Sequence, residues 1–95
     1  HPNIRLLADF YHMLREDESP DIFRKSGGLI KHVHVAEKDR RTAPSIAGDD
    51  FRTYIKELLL ISYEGAYSLE CRWQDFEIEL TEGVVELKKQ ITSLM

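Results

Sequence analysis

Ninety-five residues, 42% hydrophobic and 32% charged, describe an ordinary globular chain able to bury one modest core. The net charge of -4 argues against a nucleic-acid partner, and the nearest basic runs, Lys38-Asp39-Arg40-Arg41 and Lys88-Lys89, are short and far apart. No stretch approaches the roughly 20 apolar residues of a membrane span, and Cys71, the only cysteine, rules out an intrachain disulfide and suits a reducing, cytoplasmic setting.

The chain opens on His1-Pro2-Asn3-Ile4, with neither the basic n-region nor the apolar h-region of a secretory signal. It also lacks an initiating Met, so a longer parent chain is expected. Ile4-Arg5-Leu6-Leu7-Ala8-Asp9 follows, the first of three runs short enough for a strand and too short for an independent helix. Ser19-Pro20-Asp21 then reads as an N-cap, a proline in the first turn and an acid near the positive helix end. That helix continues through Ile22 and Phe23, with Gly27-Gly28 as its stop. Leu29–Val35 is the second strand. A second helix starts at Asp49 or Asp50, because Phe51, Tyr54, Ile55, Leu58 and Leu59 form one apolar stripe, and it ends before Gly65. Ala66–Glu70 is the third strand. The last helix runs from about Phe76 to Leu94, with Leu80, Val84, Leu87, Ile91 and Leu94 on one side and Gly83 as a weak point.

The order is βαβαβα, which implies parallel strands joined by right-handed crossovers. No domain boundary is visible, so residues 1–95 are read as one α/β domain. Three strands alone would leave both sheet edges unpaired and one face poorly covered. The remainder of a (β/α)8 barrel, which takes about 250 residues, would solve both problems.

In such folds ligands bind at the carboxyl ends of the strands. Those ends are Asp9, His34 and Glu70, two carboxylates and an imidazole, the usual donors to a divalent metal. They lie 25 and 36 residues apart, bracketing the roughly 30 residues of one βα unit in a barrel of about 250. Matching tips of successive strands can converge on one point. Singly, each has a plainer reading: Asp9 as a cap for a nearby backbone N–H, His34 as a buried histidine satisfied by a carbonyl, Glu70 as a solvated acid.

His12 either is a loop histidine facing water or lies just above the metal, where it could hydrogen-bond a substrate hydroxyl. His32 points to the same strand face as His34 and is read as structural and hydrogen-bonded. Arg40 follows the second strand, where a guanidinium can fix substrate oxygens; Arg41 is read as a solvated charge, and Glu37 and Asp39 as loop charges. The acids and lysines from Glu77 to Lys89 are read as a solvated helix face. There is no Gly-rich phosphate loop, nucleophile elbow or Cys-x-x-Cys zinc site.

At Asp9-Phe10-Tyr11-His12-Met13, Ile30-Lys31-His32-Val33-His34-Val35-Ala36-Glu37, Asp39-Arg40-Arg41, Pro44, Gly48-Asp49-Asp50-Phe51 and Tyr63-Glu64-Gly65-Ala66-Tyr67-Ser68-Leu69-Glu70, the chain resembles the sugar phosphate isomerase/epimerase superfamily. These are the xylose-isomerase-like barrels, with ketose 3-epimerases and hydroxypyruvate isomerases the nearest-looking members. The matches span most of residues 3–73, in family order. The resemblance implies that the chain corresponds to the last three βα units of a TIM barrel. It implies that Asp9, His34 and Glu70 bind a divalent metal, Mn²⁺ foremost, with Mg²⁺, Co²⁺ or Zn²⁺ as alternatives. It further implies that His12 and Arg40 contact the oxygens of a sugar or hydroxy-carbonyl substrate. Glu70 would be one of two carboxylates moving a proton next to a carbonyl, through an enediolate. The fourth ligand, a Glu on an earlier strand, has no counterpart here, so the chain alone is expected to be inactive. Pro44-Ser45-Ile46-Ala47-Gly48 also stands where a Pro-Gly pair is usual, which leaves the substrate type open.

Two other readings are carried. A truncated, non-catalytic barrel could self-associate or serve as a binding module. An abasic-site endonuclease of the same barrel class would need more histidines than His1, His12, His32 and His34, and a basic surface.

Overall fold

The computed structural model describes residues 6–26 and 29–95. Along them run β1 (Leu6–Asp9), α1 (Phe10–Arg15), α2 (Ile22–Ser26), β2 (Ile30–Val35), α3 (Arg52–Leu60), β3 (Ala66–Leu69) and α4 (Phe76–Thr92). The strands form one parallel sheet in the order β1-β2-β3. The expected alternation of strand and helix therefore holds. Ile4 and Arg5 of the first run, and the Gly27-Gly28 stop, lie outside the described residues.

One element departs from the sequence reading. Residues after β1 were expected to form a loop, yet they make α1 at once. The Asp9 side chain caps it, accepting the His12 N–H at 3.2 Å. At its other end Asp17 takes a left-handed φ of 51°, so that Glu18 N–H reaches Met13 C=O and Asp17 N–H reaches Leu14 C=O. Helix α3 ends in the same way: Ser62 has φ 60°, Tyr63 N–H bonds Leu58 C=O and Ser62 N–H bonds Leu59 C=O. Neither stop carries the glycine by which such ends are usually read.

The two sheet faces differ sharply. Alternation sends Ala8, Val33, Val35, Tyr67 and Leu69 to one side, where Val33 and Val35 are fully buried. There they meet Phe10, Phe51, Tyr54, Ile55 and Leu58 in a single cluster. Its centre is aromatic: the Phe10 ring lies 5.7 Å from Phe51 and 5.4 Å from Tyr54. Arg24 on α2 clasps Glu57 on α3 through two 2.7 Å bonds, which fastens the two helices. The opposite face carries Leu7, Asp9, His32, His34, Ala66 and Ser68, all half-buried or exposed. Among the described residues, each outer strand keeps one unpaired edge.

Helix α4 packs through Leu87 and Gln90, both buried, and through Gly83. Gly83 is a contact point and not a weakness. A Cβ there would stand 3.3 Å from Pro44 Cδ, 3.4 Å from Leu69 Cδ1 and 3.5 Å from Ala43 Cβ. The missing side chain lets α4 lie against both β3 and the loop after β2. Among the described residues no helix is long and apolar enough to cross a membrane.

Candidate metal and substrate site

The donor groups read from the sequence fall on the open sheet face. Parallel pairing sets Asp9 level with His34, and His34 level with Ser68. Glu70 N–H donates to Val35 C=O at 3.1 Å, extending the ladder one residue past β3 and putting Glu70 on the side of Ser68. His34 Nε2 then lies 3.6 Å from Glu70 Oε1. His32 bonds Ser68 Oγ at 2.9 Å and sets its ring edge-on to His34, centroids 5.1 Å apart, as its structural reading requires.

Asp9 is drawn to a different neighbour. Its Oδ1 caps α1 and its Oδ2 lies 2.9 Å from His12 Nδ1. Among the described residues no three His, Cys, Asp or Glu side chains are grouped so as to hold a metal together. His34 and Glu70 are thus brought side by side, while Asp9 shares their face but faces His12. The capping does not exhaust the carboxylate. It has about four lone-pair positions and two are taken. In donor type and in place on successive strand tips, the three residues fit a divalent cation.

His12 is on α1 and not in a loop, with its side chain 59% exposed. In the tautomer that carries its proton on Nδ1, beside Asp9, Nε2 is the acceptor. Tyr11 next to it stacks edge-on against the His12 ring and carries the Arg41 guanidinium 4.3 Å above its own ring. Arg41 is therefore a packed cation, half-buried on an aromatic face, and the reading of a solvated charge is corrected. Arg40 stays exposed on the loop after β2. It lines a cleft of about 760 Å³ together with Thr42, Ala47, Arg72 and Trp73. Asp9, His34 and Glu70 are not among the residues lining it.

Glu37 overturns a second reading. Far from a loop charge, it is 0% exposed. Its Oε1 accepts from Thr42 Oγ1 at 2.8 Å and Ala47 N–H at 2.6 Å, and its Oε2 from Asp49 N–H at 2.9 Å. The only trace of this in the sequence is an acid set directly on the end of the buried Val33–Ala36 run. Gln90 was likewise missed; its Oε1 accepts Phe51 N–H at 2.7 Å and its Nε2 donates to Asp49 C=O at 3.1 Å. Beside the site, burial pushes the Cys71 thiol up to about 12, helped by the charges of Glu37 and Glu70 and opposed by Arg41.

A parallel sheet with polar donors at its strand tips and helices on its other face defines the class: part of an α/β barrel. The chain belongs to the xylose isomerase-like TIM barrel family, whose model matches residues 1–92. That membership bears out the resemblance carried by the sequence motifs. A solved structure of L-ribulose 3-epimerase has the same fold, with a TM-score of 0.83 at 21% identity over 99% of this chain. This chain spans 38% of that one. No curated protein matches it.

Proposed function

We propose that this chain carries part of the centre of a metal-dependent sugar isomerase or epimerase, and that it corresponds to the last three units of the barrel. In this reading Asp9, His34 and Glu70 hold a divalent cation, Mn²⁺ foremost, and His12 and Arg40 contact a sugar or hydroxy-carbonyl substrate. The observation that carries it is the placing of a carboxylate, an imidazole and a carboxylate on one open face at the carboxyl ends of three adjacent parallel strands. The name of the structural relative, an L-ribulose 3-epimerase, agrees in substrate class.

The chemistry follows from these groups. A bound divalent cation would stabilise the negative charge that builds on the substrate oxygens as an enediolate forms. Glu70 takes the proton from the carbon beside the carbonyl, its exposed carboxylate being open to a ligand on that face. His12 Nε2 accepts from a substrate hydroxyl, oriented by Asp9, and Arg40 donates to a further oxygen. Epimerisation needs a second carboxylate on the opposite side of the substrate. Glu37 and Glu57 are committed to hydrogen bonds of their own, and Glu64 lies at the other end of the sheet. That carboxylate comes from outside the three strands, and the chain by itself is expected to turn over no substrate.

Mn²⁺ titration by calorimetry tests the assignment. Asp9→Ala, His34→Ala and Glu70→Gln should each weaken binding by at least about tenfold. Unchanged affinity in all three would dismiss the metal reading, and rapid L-ribulose epimerisation by the chain alone would dismiss the need for a second carboxylate. The two unpaired sheet edges favour a second reading, a self-associating or binding module. A light-scattering mass that stays monomeric at high concentration would end it.

A further inference from the structure

Sixteen residues, Ala36–Phe51, join β2 to α3 without regular structure, and their backbone is not relaxed. Arg40 and Arg41 have φ of 59° and 57°, and Ser45 has 90°. Side-chain-bearing residues avoid these values unless something holds them there. Glu37 does so from beneath. Its N–H bonds Thr42 C=O at 2.8 Å, its carboxylate takes Thr42 Oγ1–H and the amides of Ala47 and Asp49, and Asp49 in turn accepts Lys38 N–H at 2.8 Å. The loop that leaves Glu37 through Arg40 is tied back onto that one buried carboxylate at Thr42, Ala47 and Asp49. Thr42 and Ala47, which bond that carboxylate, and Arg40, between the two ends of the closure, all line one wall of the 760 Å³ cleft. Arg72 and Trp73 line the same cleft, and Arg72 N–H bonds Arg41 C=O at 2.8 Å.

We propose that Glu37 is a positioning residue: it fixes the cleft wall that carries Arg40, so that the guanidinium meets the hydroxylated part of the substrate remote from the reacting carbon. The substrate half of this statement rests on the proposed sugar-epimerase reading. The structural half does not. Glu37→Gln keeps one oxygen for Thr42 and Ala47 but turns an NH2 group toward the Asp49 amide, so a donor faces a donor. Loss of a hydrogen bond to a charged acceptor corresponds to a factor of about ten or more in local opening.

The experiment is residue-resolved hydrogen exchange on the 95-residue chain, with Trp73, its only tryptophan, reporting on the cleft by its emission. In Glu37→Gln the amides of Asp49, Ala47 and Lys38 should exchange about tenfold faster or more and the Trp73 emission should shift. Those of Ile55 and Leu58 should keep their wild-type rates. Thr42→Val should show the same pattern more weakly, and Thr42→Ser should restore it, which keeps the test decisive if Glu37→Gln fails to fold. Acceleration spread evenly over loop and core, or none at Ala47 and Asp49, overturns the proposal. With Mn²⁺ present, L-ribulose affinity should fall about equally in Glu37→Gln and Arg40→Ala and no further in the double variant; additive losses overturn the link to Arg40. Absence of L-ribulose binding by the wild-type chain overturns the substrate half. The exchange pattern then decides alone whether Glu37 holds the wall.

Discussion

Gly83 offers a test of packing in which two effects of known size oppose each other. Replacing a glycine inside an open helix by alanine returns about 0.5–1 kcal/mol, since alanine loses less backbone freedom on folding. At Gly83 the added methyl meets Pro44 Cδ at 3.3 Å, Leu69 Cδ1 at 3.4 Å and Ala43 Cβ at 3.5 Å. Carbon pairs prefer about 3.5–4.0 Å, so the Pro44 contact is short by a few tenths of an ångström. Pro44 and Ala43 are fully buried, in the loop that Glu37 closes, and have little room to retreat. Overpacking of this kind costs about 1–3 kcal/mol. Gly83→Ala should therefore leave the chain unchanged or less stable by up to about 2.5 kcal/mol, with the helix gain cancelled. Gly83→Val, with two further carbons, should lose about 2–3 kcal/mol. Urea unfolding followed by far-ultraviolet circular dichroism, with unchanged slopes, gives both numbers. A gain of a full 1 kcal/mol in Gly83→Ala would mean that α4 does not seat on Ala43 and Pro44, and would refute the packing described.

Cys71, pushed up to about 12 by burial and nearby carboxylates, should react with iodoacetamide at pH 8 roughly a thousandfold more slowly folded than in urea; equal rates would contradict its surroundings. Ser62→Gly should stabilise by about 1 kcal/mol in thermal melts, because glycine adopts the left-handed conformation that Ser62 is forced into; a loss would show that the serine is not strained there. The Arg24 guanidinium holds the Glu57 carboxyl below its ordinary 4.5, and Arg52 holds Asp50 below 3.8. The folded state then binds fewer protons than the unfolded one, so this stability is complete above about pH 4.5 and lost as pH falls through the lowered values. Arg24→Gln should flatten the fall in urea midpoint between pH 5 and 3, and an unaltered slope would count against the pair.

The sequence displayed the strands, the last two helices and the strand-tip donors because each follows a period or sits at a period's end. Phe51, Tyr54, Ile55 and Leu58 repeat at helical spacing, and all four are buried in the structure. Asp9, His34 and Glu70 each close a β-type run, and register brings Asp9 level with His34. Helix α1 was hidden for a physical reason. Its cap is the same Asp9 that reads as a ligand, and its stop is Asp17 in a conformation normally given to glycine. Glu37, Arg41 and Gln90 were hidden for another. Glu37 is buried by the folding back of its own loop, and the other two by contacts across long sequence distances: Arg41 on Tyr11, and Gln90 on Phe51 and Asp49. No local pattern encodes such contacts, and charge alone suggested solvent.

The open sheet face joins the fold to its chemistry. Helices cover one side of the sheet because Val33, Val35 and their aromatic neighbours demand it. The other side is left to polar groups set in pairs, Asp9 beside His12, His34 beside Glu70 and His32 bonded to Ser68. Glu70 is 57% and His12 59% exposed, so water screens both. At 4 Å a pair of unit charges interacts by about 1 kcal/mol in water and about 4 kcal/mol at the effective dielectric of a partly covered site. On the proposed reading, the same groups would bind a cation more strongly as their face is enclosed, with no change in the three strands themselves. In the family's complete barrels that face is the lumen, closed by five further strands. The three strand tips supply the identity and order of the donors, and enclosure supplies the strength.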